Sequence, residues 1–92
     1  MRVTTARTTA TVRVRYFAGA RAAAGIQEET VELPAEATIT DLVAELGGRH
    51  GGELPRVLTA CSFLLDGVAV RDRATTVPDG SEVDVLPPFA GG

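Results

Sequence analysis

The sequence predicts an α+β fold: a mixed sheet of four to five strands with one main helix packed across it. Three patterns in the 92 residues lead there. Apolar and polar residues alternate with a period of two near both ends of the chain, at Val12, Val14 and Tyr16 and again at Val83 and Val85. A single stretch, Ile39, Leu42, Val43 and Leu46, carries the spacing of an amphipathic helix. Between them, Asp66-Gly67 sits between two apolar runs, a strong signal for a two-residue hairpin turn.

Residues 1–10, MRVTTARTTA, are rich in Thr and lack apolar periodicity, which reads as a flexible N-terminal extension, with order expected from Thr11. TVRVRYFA then gives a first strand, its buried face Val12, Val14 and Tyr16 and its other face Arg13, Arg15 and Phe17. The Ala-rich segment between Gly19 and Gly25 is long enough for only one or two helical turns. IQEETVEL offers Val31 and Leu33 at strand spacing until Pro34 stops the run, and it is expected to pair antiparallel with the first strand.

Thr38 can cap the amide of Asp41, opening the main helix over about residues 39–50, with Gly47 and Gly48 weakening its end. LPRVLTAC reads as an irregular or short helical connector. SFLLDGVAV holds two short strands around Asp66-Gly67, and the turn at Val77 to Gly80 leads into a last strand, EVDVL, ending at Pro87-Pro88. Two hairpins joined through a helix place the last strand beside the first, parallel to it, in mid-sheet. That is a β-grasp, ubiquitin-like arrangement. The expected organisation is an extension over 1–10, the domain over 11–88 and a tail over 89–92.

A chain of this length buries only about 60 to 65% of the surface it exposes when unfolded, so a large enclosed active site is not expected. The lone Cys61 cannot form an internal disulfide or a multi-cysteine metal site, and no signal segment opens the chain, so a reducing cytoplasm is the expected location. No apolar run approaches membrane-span length, and a net charge of -3 with scattered cations argues against nucleic-acid binding. All nine cations are Arg. Without lysine, the chain cannot receive an isopeptide bond on its own side chains.

The remaining candidates are weaker. Cys61, considered as a persulfide acceptor, reads better as a small buried hydrophobe. His50 in GGRHGG has no second ligand nearby and reads as a solvent-facing loop histidine. The glycine pairs 47–48 and 51–52 lack the rest of a phosphate loop and read as a helix stop. Glu28, Glu29 and Glu32 read as a solvated strand face that could also meet a basic partner. Leu65 and Leu86 are expected in the core, and Phe89, beyond the last strand, as a partner contact.

The tail carries the chemistry. Pro87 and Pro88 remove two backbone donors and hold a stiff extended form, so strand pairing stops near Leu86 and the residues beyond project. Gly91 and Gly92 have no Cβ and fit a narrow channel. A terminal carboxylate is a poor electrophile until adenylation supplies a good leaving group; a sulfur nucleophile can then displace AMP and leave a thiocarboxylate.

With these residues in view, the chain resembles the MoaD/ThiS family of β-grasp sulfur carriers, and within it the branch serving molybdopterin synthesis. The likeness covers about residues 11–92 and rests on VRVRYFAGARAAAG, ITDLVAEL, FLLDGVAV and, most specifically, PDGSEVDVLPPFAGG. It implies a sulfur donor without catalytic groups or a cofactor of its own. An E1-like adenylyltransferase of the MoeB/ThiF type would use ATP to activate Gly92, and a sulfurtransferase would supply the sulfur. The charged tail would then enter a MoaE-type large subunit of molybdopterin synthase, in a heterotetramer. The resemblance carries over Gly91 and Gly92 as the attachment site, Pro87, Pro88, Phe89 and Ala90 as the inserted tail, and Phe17 and Arg21 near the interface. Phe89 departs from the smaller aliphatic residue usual there. A carrier for thiamin, cysteine or a thio-natural product, or a non-carrier β-grasp binding module, are the alternatives.

Overall fold

The computed structural model describes residues 8–88. Eight elements follow in the order β1 (Thr9–Tyr16), α1 (Ala18–Ala24), β2 (Glu28–Pro34), α2 (Ile39–His50), α3 (Leu54–Thr59), β3 (Ser62–Leu65), β4 (Val68–Ala69) and β5 (Glu82–Leu86). The strands form one five-stranded mixed sheet in the order β2-β1-β5-β3-β4. β1 runs antiparallel to β2 and parallel to β5, and β3 runs antiparallel to both β5 and β4. The β-grasp arrangement expected from element order is the one observed.

Alternation sorts the sheet into two faces. Val12, Val14 and Tyr16 of β1, Val31 and Leu33 of β2, Phe63 of β3 and Val83 and Val85 of β5 are all buried, and so are Ile39, Leu42 and Leu46 of α2 and Leu54 and Leu58 of α3. These residues form a single hydrophobic cluster, which Val77 and Cys61 complete. In a chain without Trp, aliphatic side chains fill most of it.

The main helix begins as the sequence requires. The Thr38 hydroxyl accepts from the Asp41 amide at 3.2 Å, and the Asp41 carboxylate accepts from the Thr38 amide at 2.9 Å, a reciprocal capping box. The helix covers the expected residues, running through Gly47-Gly48 to His50, and Gly51 ends it at φ 61°, ψ -149°, a conformation that favours a residue without a Cβ. A Cβ added at Gly47 would lie 3.5 Å from the Pro55 ring of α3, so this position is a packing surface between α2 and α3 as well as a helical one.

Two features differ from expectation, and one between them agrees. β1 begins at Thr9, two residues ahead of the expected Thr11, because Ala10 continues the inward alternation of Val12 and pairs with Leu33. The segment LPRVLT takes the short helical form, one of the two expected, as α3, with Pro in its first turn, where the missing amide is not needed. Leu65 is half-buried against the core cluster, whereas Leu86, also half-buried, follows the alternation of Glu82 and Asp84 rather than that of Val83 and Val85.

The hairpin at Asp66-Gly67 has φ 49° and 84° at its two central residues, the positive pair that a type I′ turn requires. Asp66 also reaches across to β5: its amide donates to the Glu82 carbonyl at 2.8 Å, and its Oδ1 accepts from the Glu82 amide at 2.9 Å. On the other side, the Gly80 amide donates to the Thr11 carbonyl at 2.7 Å and Asp79 Oδ1 accepts from the Thr11 amide at 2.7 Å. The start of β5 is therefore clamped to both of its neighbours.

Candidate functional site: the end of the central strand

β5 lies between β1 and β3, and its last paired residue is Leu86, opposite Ser62. Pro87 is half-buried and Pro88 exposed, so the chain leaves the sheet here, where proline removes the donor a further ladder bond would need. The stop at Leu86 agrees with the sequence expectation. Phe89, Ala90, Gly91 and Gly92 lie outside the described residues.

Beside this exit, β1 also ends. The Phe17 amide donates to the Val85 carbonyl at 3.2 Å, tying the first residue after β1 to the penultimate residue of β5. Phe17 and Arg21 line a shallow pocket of about 190 Å³, together with Arg13, Arg15, Gln27 and Glu28. Phe17 is half-buried, with the Arg15 guanidinium 5.7 Å from its ring centroid. Arg21 is exposed at the end of α1.

Arg13, Arg15 and Glu28 bring to the pocket the helix-free face of the sheet, which is charged rather than apolar, and α1 adds Arg21. Arg15 forms a bidentate pair with Asp84 at 2.7 and 3.0 Å, the planar fork-to-fork geometry that favours Arg over Lys. Arg13 donates to Glu28 at 2.9 Å and lies 3.8 Å from Glu82. The hydrogen bond to Asp84 raises the Arg15 pKa and that to Glu28 raises the Arg13 pKa, in each case favouring the cation. These charges satisfy one another, whereas Arg21 has no ion pair among the described residues. Sequence reading had placed Arg13 and Arg15 only as an exposed strand face; their place in a pocket depends on cross-strand neighbours far away in the chain.

The acidic cluster divides. Glu28 and Glu32 are exposed as expected, but the Glu29 side chain is only 13% exposed and gathers three donors. Tyr16 donates its hydroxyl to Oε2 at 2.5 Å, His50 Nε2 lies 2.5 Å from the same oxygen, and Arg49 donates to Oε1 at 3.2 Å. Burial alone pushes the Glu29 carboxyl up, but the hydrogen bonds from Tyr16, His50 and Arg49 outweigh it and hold the pKa below the usual value. Burial, then the bond to Glu29, pushes the Tyr16 phenol up. His50 is therefore not a loop residue facing solvent. It is the last residue of α2, packed edge-on against Tyr16 at a centroid distance of 6.0 Å.

Cys61 is buried, as expected of a packing residue, and its thiol donates to the Val57 carbonyl at 3.2 Å. Burial pushes the thiol pKa up, against a smaller opposing pull from Arg73. Among the described residues no group of three or more His, Cys, Asp or Glu could hold a metal ion. No helix among them is long and apolar enough to cross a membrane.

A model of the ThiS family matches residues 14–92, more than four-fifths of the chain, from the last residues of β1 through β5. The chain belongs to the MoaD/ThiS family of β-grasp sulfur carriers. Within this family it is 38% identical over 82 residues to the molybdopterin synthase sulfur carrier subunit of Chlamydomonas reinhardtii, a match covering 88% of this chain and 98% of that one. Among solved structures it resembles a putative molybdopterin converting factor, subunit 1, from Pyrococcus furiosus, with a TM-score of 0.73 and 32% identity over 87% of this chain and 99% of the other. It also resembles a chain in the complex of subunits 1 and 2 of molybdopterin-converting factor from Helicobacter pylori 26695, with a TM-score of 0.61 and 27% identity over 89% and 99%.

Proposed function

We propose that this MoaD/ThiS carrier is the sulfur-donor subunit of a molybdopterin synthase, loaded at the carboxylate of Gly92. The observation that carries this reading is the central β5, parallel to β1, whose pairing ends at Leu86 immediately before Pro87-Pro88. The likeness to sulfur carrier subunits over nearly their full length supports it. Five residues beyond Pro87 reach at most about 16 to 18 Å, enough to enter a partner's cleft.

The sequence of events follows from carboxylate chemistry. An E1-like adenylyltransferase of the MoeB/ThiF type uses ATP to form an acyl adenylate at Gly92, and Gly91 keeps the approach narrow. Persulfide sulfur held by a sulfurtransferase attacks the acyl carbon with its lone pair and AMP leaves with the bonding electrons; a thiol then reduces the resulting acyl disulfide, leaving a thiocarboxylate and an oxidised disulfide. The tail of Pro87, Pro88, Phe89, Ala90 and the two glycines then enters a MoaE-type large subunit, where the pterin substrate accepts the sulfur. The carrier is not itself an enzyme and takes no cofactor of its own. Phe17 and Arg21 form the docking pocket at the root of the tail, and the assembly is a heterotetramer working in the cytoplasm.

The test is an intact mass after incubation with an activating enzyme, ATP and a sulfur source. Loading adds about 16 Da, one oxygen exchanged for sulfur. Deleting Gly92 is expected to remove the shift and leave the thermal midpoint unchanged, since the core cluster is complete within residues 12–85. A shift that persists in the deletion would place the reactive carboxyl elsewhere. Transfer to a large subunit with formation of the dithiolene distinguishes molybdopterin synthesis from thiamin or cysteine carriers.

A further inference from the structure

We propose that this chain is a one-way acyl donor: none of its own side chains captures an activated carboxyl at Gly92, in the same copy or in another. The inference rests on the reading that Gly92 is activated, and it adds a restriction on the acceptor.

An activated Gly92 meets copies of its own carrier whenever it is exposed. In the reaction to be avoided, a nucleophile bearing a lone pair attacks the acyl carbon, the leaving group departs with the bonding electrons, and the nucleophile loses its proton. With an amine the product is an amide and the carrier is lost. Four side-chain types are capable of this near neutral pH, and each is missing or withdrawn. Lysine is missing altogether: the nine cations are all Arg, whose guanidinium stays protonated and has no free lone pair. The one cysteine, Cys61, is 5% exposed and its thiol is engaged with the Val57 carbonyl. The one histidine, His50, is half-buried, with Nε2 held by Glu29 and the ring against Tyr16. The one tyrosine, Tyr16, is 1% exposed and donates to Glu29. The aliphatic hydroxyls remain, and these are weak nucleophiles without a general base. Ser62, opposite Leu86 at the tail root, has no histidine or carboxylate hydrogen-bonded to it among the described residues.

The withdrawal is an outcome of the fold. Cys61 and His50 occur once each and would both be reactive in an open chain; Cys61 enters the core beneath α3, and Glu29 draws in His50 and Tyr16 together.

The experiment uses the 92-residue chain prepared with its α-amine acetylated and Gly92 as the thioester of 2-mercaptoethanesulfonate, incubated concentrated at mildly alkaline pH. Because the thioester is made chemically, the result does not depend on any activating enzyme. The expected outcome is hydrolysis alone, water replacing the thiol to give the free acid. Arg71→Lys, at an exposed position, is expected to give an amide-linked dimer whose mass is two chains less the thiol. Ser62→Cys is expected to exchange the thioester onto the new thiol within one copy. Covalent dimer or a ring from the parent chain would overturn the proposal. So would an Arg71→Lys chain as inert as the parent, because the missing amine would then not be the cause. A parent Cys61 alkylated as fast in buffer as in urea would remove the sequestration on which the second part depends.

Discussion

The two faces of the sheet are built from the same strands and behave as different materials. On the helix-covered face, Val12, Val14, Val83 and Val85 meet Ile39, Leu42 and Leu46 with no exposure at all. On the other face the intervening residues, Arg13, Arg15, Glu82 and Asp84, form a ladder of ion pairs across β1 and β5. Apolar burial scales with area and is indifferent to direction, so the first face supplies stability. Partly solvated ion pairs add little net stability but fix side-chain positions and charge, so the second face supplies a defined charge pattern, and recognition only under the proposed function.

The largest effect should come from the buried face. Leu42→Ala leaves a cavity against the strands and is expected to cost about 2 to 5 kcal/mol in urea denaturation. Loading of Gly92 should persist at temperatures where the variant remains folded.

Next is the Glu29 cluster, a polar clamp at the rim of the buried face. The Glu29 carboxyl has a folded pKa below its unfolded value, so its contribution to stability is present above the unfolded value of about 4.3 and is lost as pH falls through the lower folded value. Glu29→Gln should therefore melt below the parent at neutral pH, with the gap closing in acid. A gap constant down to the acid end of the titration would mean that the carboxylate charge is not what the cluster uses.

A change on the charged face should invert the pattern. Arg21→Ala is expected to shift stability by less than about 0.5 kcal/mol while weakening binding to the large subunit by about 1 kcal/mol, roughly fivefold in Kd. If calorimetric titration shows unchanged affinity, the pocket beside Phe17 is not the docking surface. The smallest effect is expected at the hairpin tip, where Val68 is 69% exposed: Val68→Thr should change stability within about 0.5 kcal/mol and leave both loading and binding intact.

The elements of this comparison were legible to different depths. Alternation in VRVRY and EVDVL placed both central strands, and Thr38 with Asp41 placed the start of α2 to the residue, because period and cap are local properties. The Glu29 cluster was not legible. Tyr16, Glu29 and His50 are separated by many residues, and each taken alone reads as an ordinary core tyrosine, surface acid and loop histidine. The end of α2 near residue 50 was legible from the glycines, but the packing of Gly47 on Pro55 was not, because helix propensity is a local property. The proposal of Gly91-Gly92 as attachment site comes from tail chemistry alone, whereas the pocket at Phe17 needed the cross-strand register that brings Phe17 to Val85.

The clamps at the two sides of β5 act as a measuring device. Asp66 binds Glu82 by both backbone groups, and Thr11 is held by Asp79 and Gly80, so β5 cannot slide along its neighbours. A slip by one residue would turn Val83 and Val85 outward, and a slip by two, keeping the faces, would lengthen or shorten the free tail by about 6.6 Å. Under the proposed function, the carboxyl terminus meets a reacting atom in another protein. The hairpin at Asp66, by fixing the register of β5, then sets where the residues after Leu86 begin.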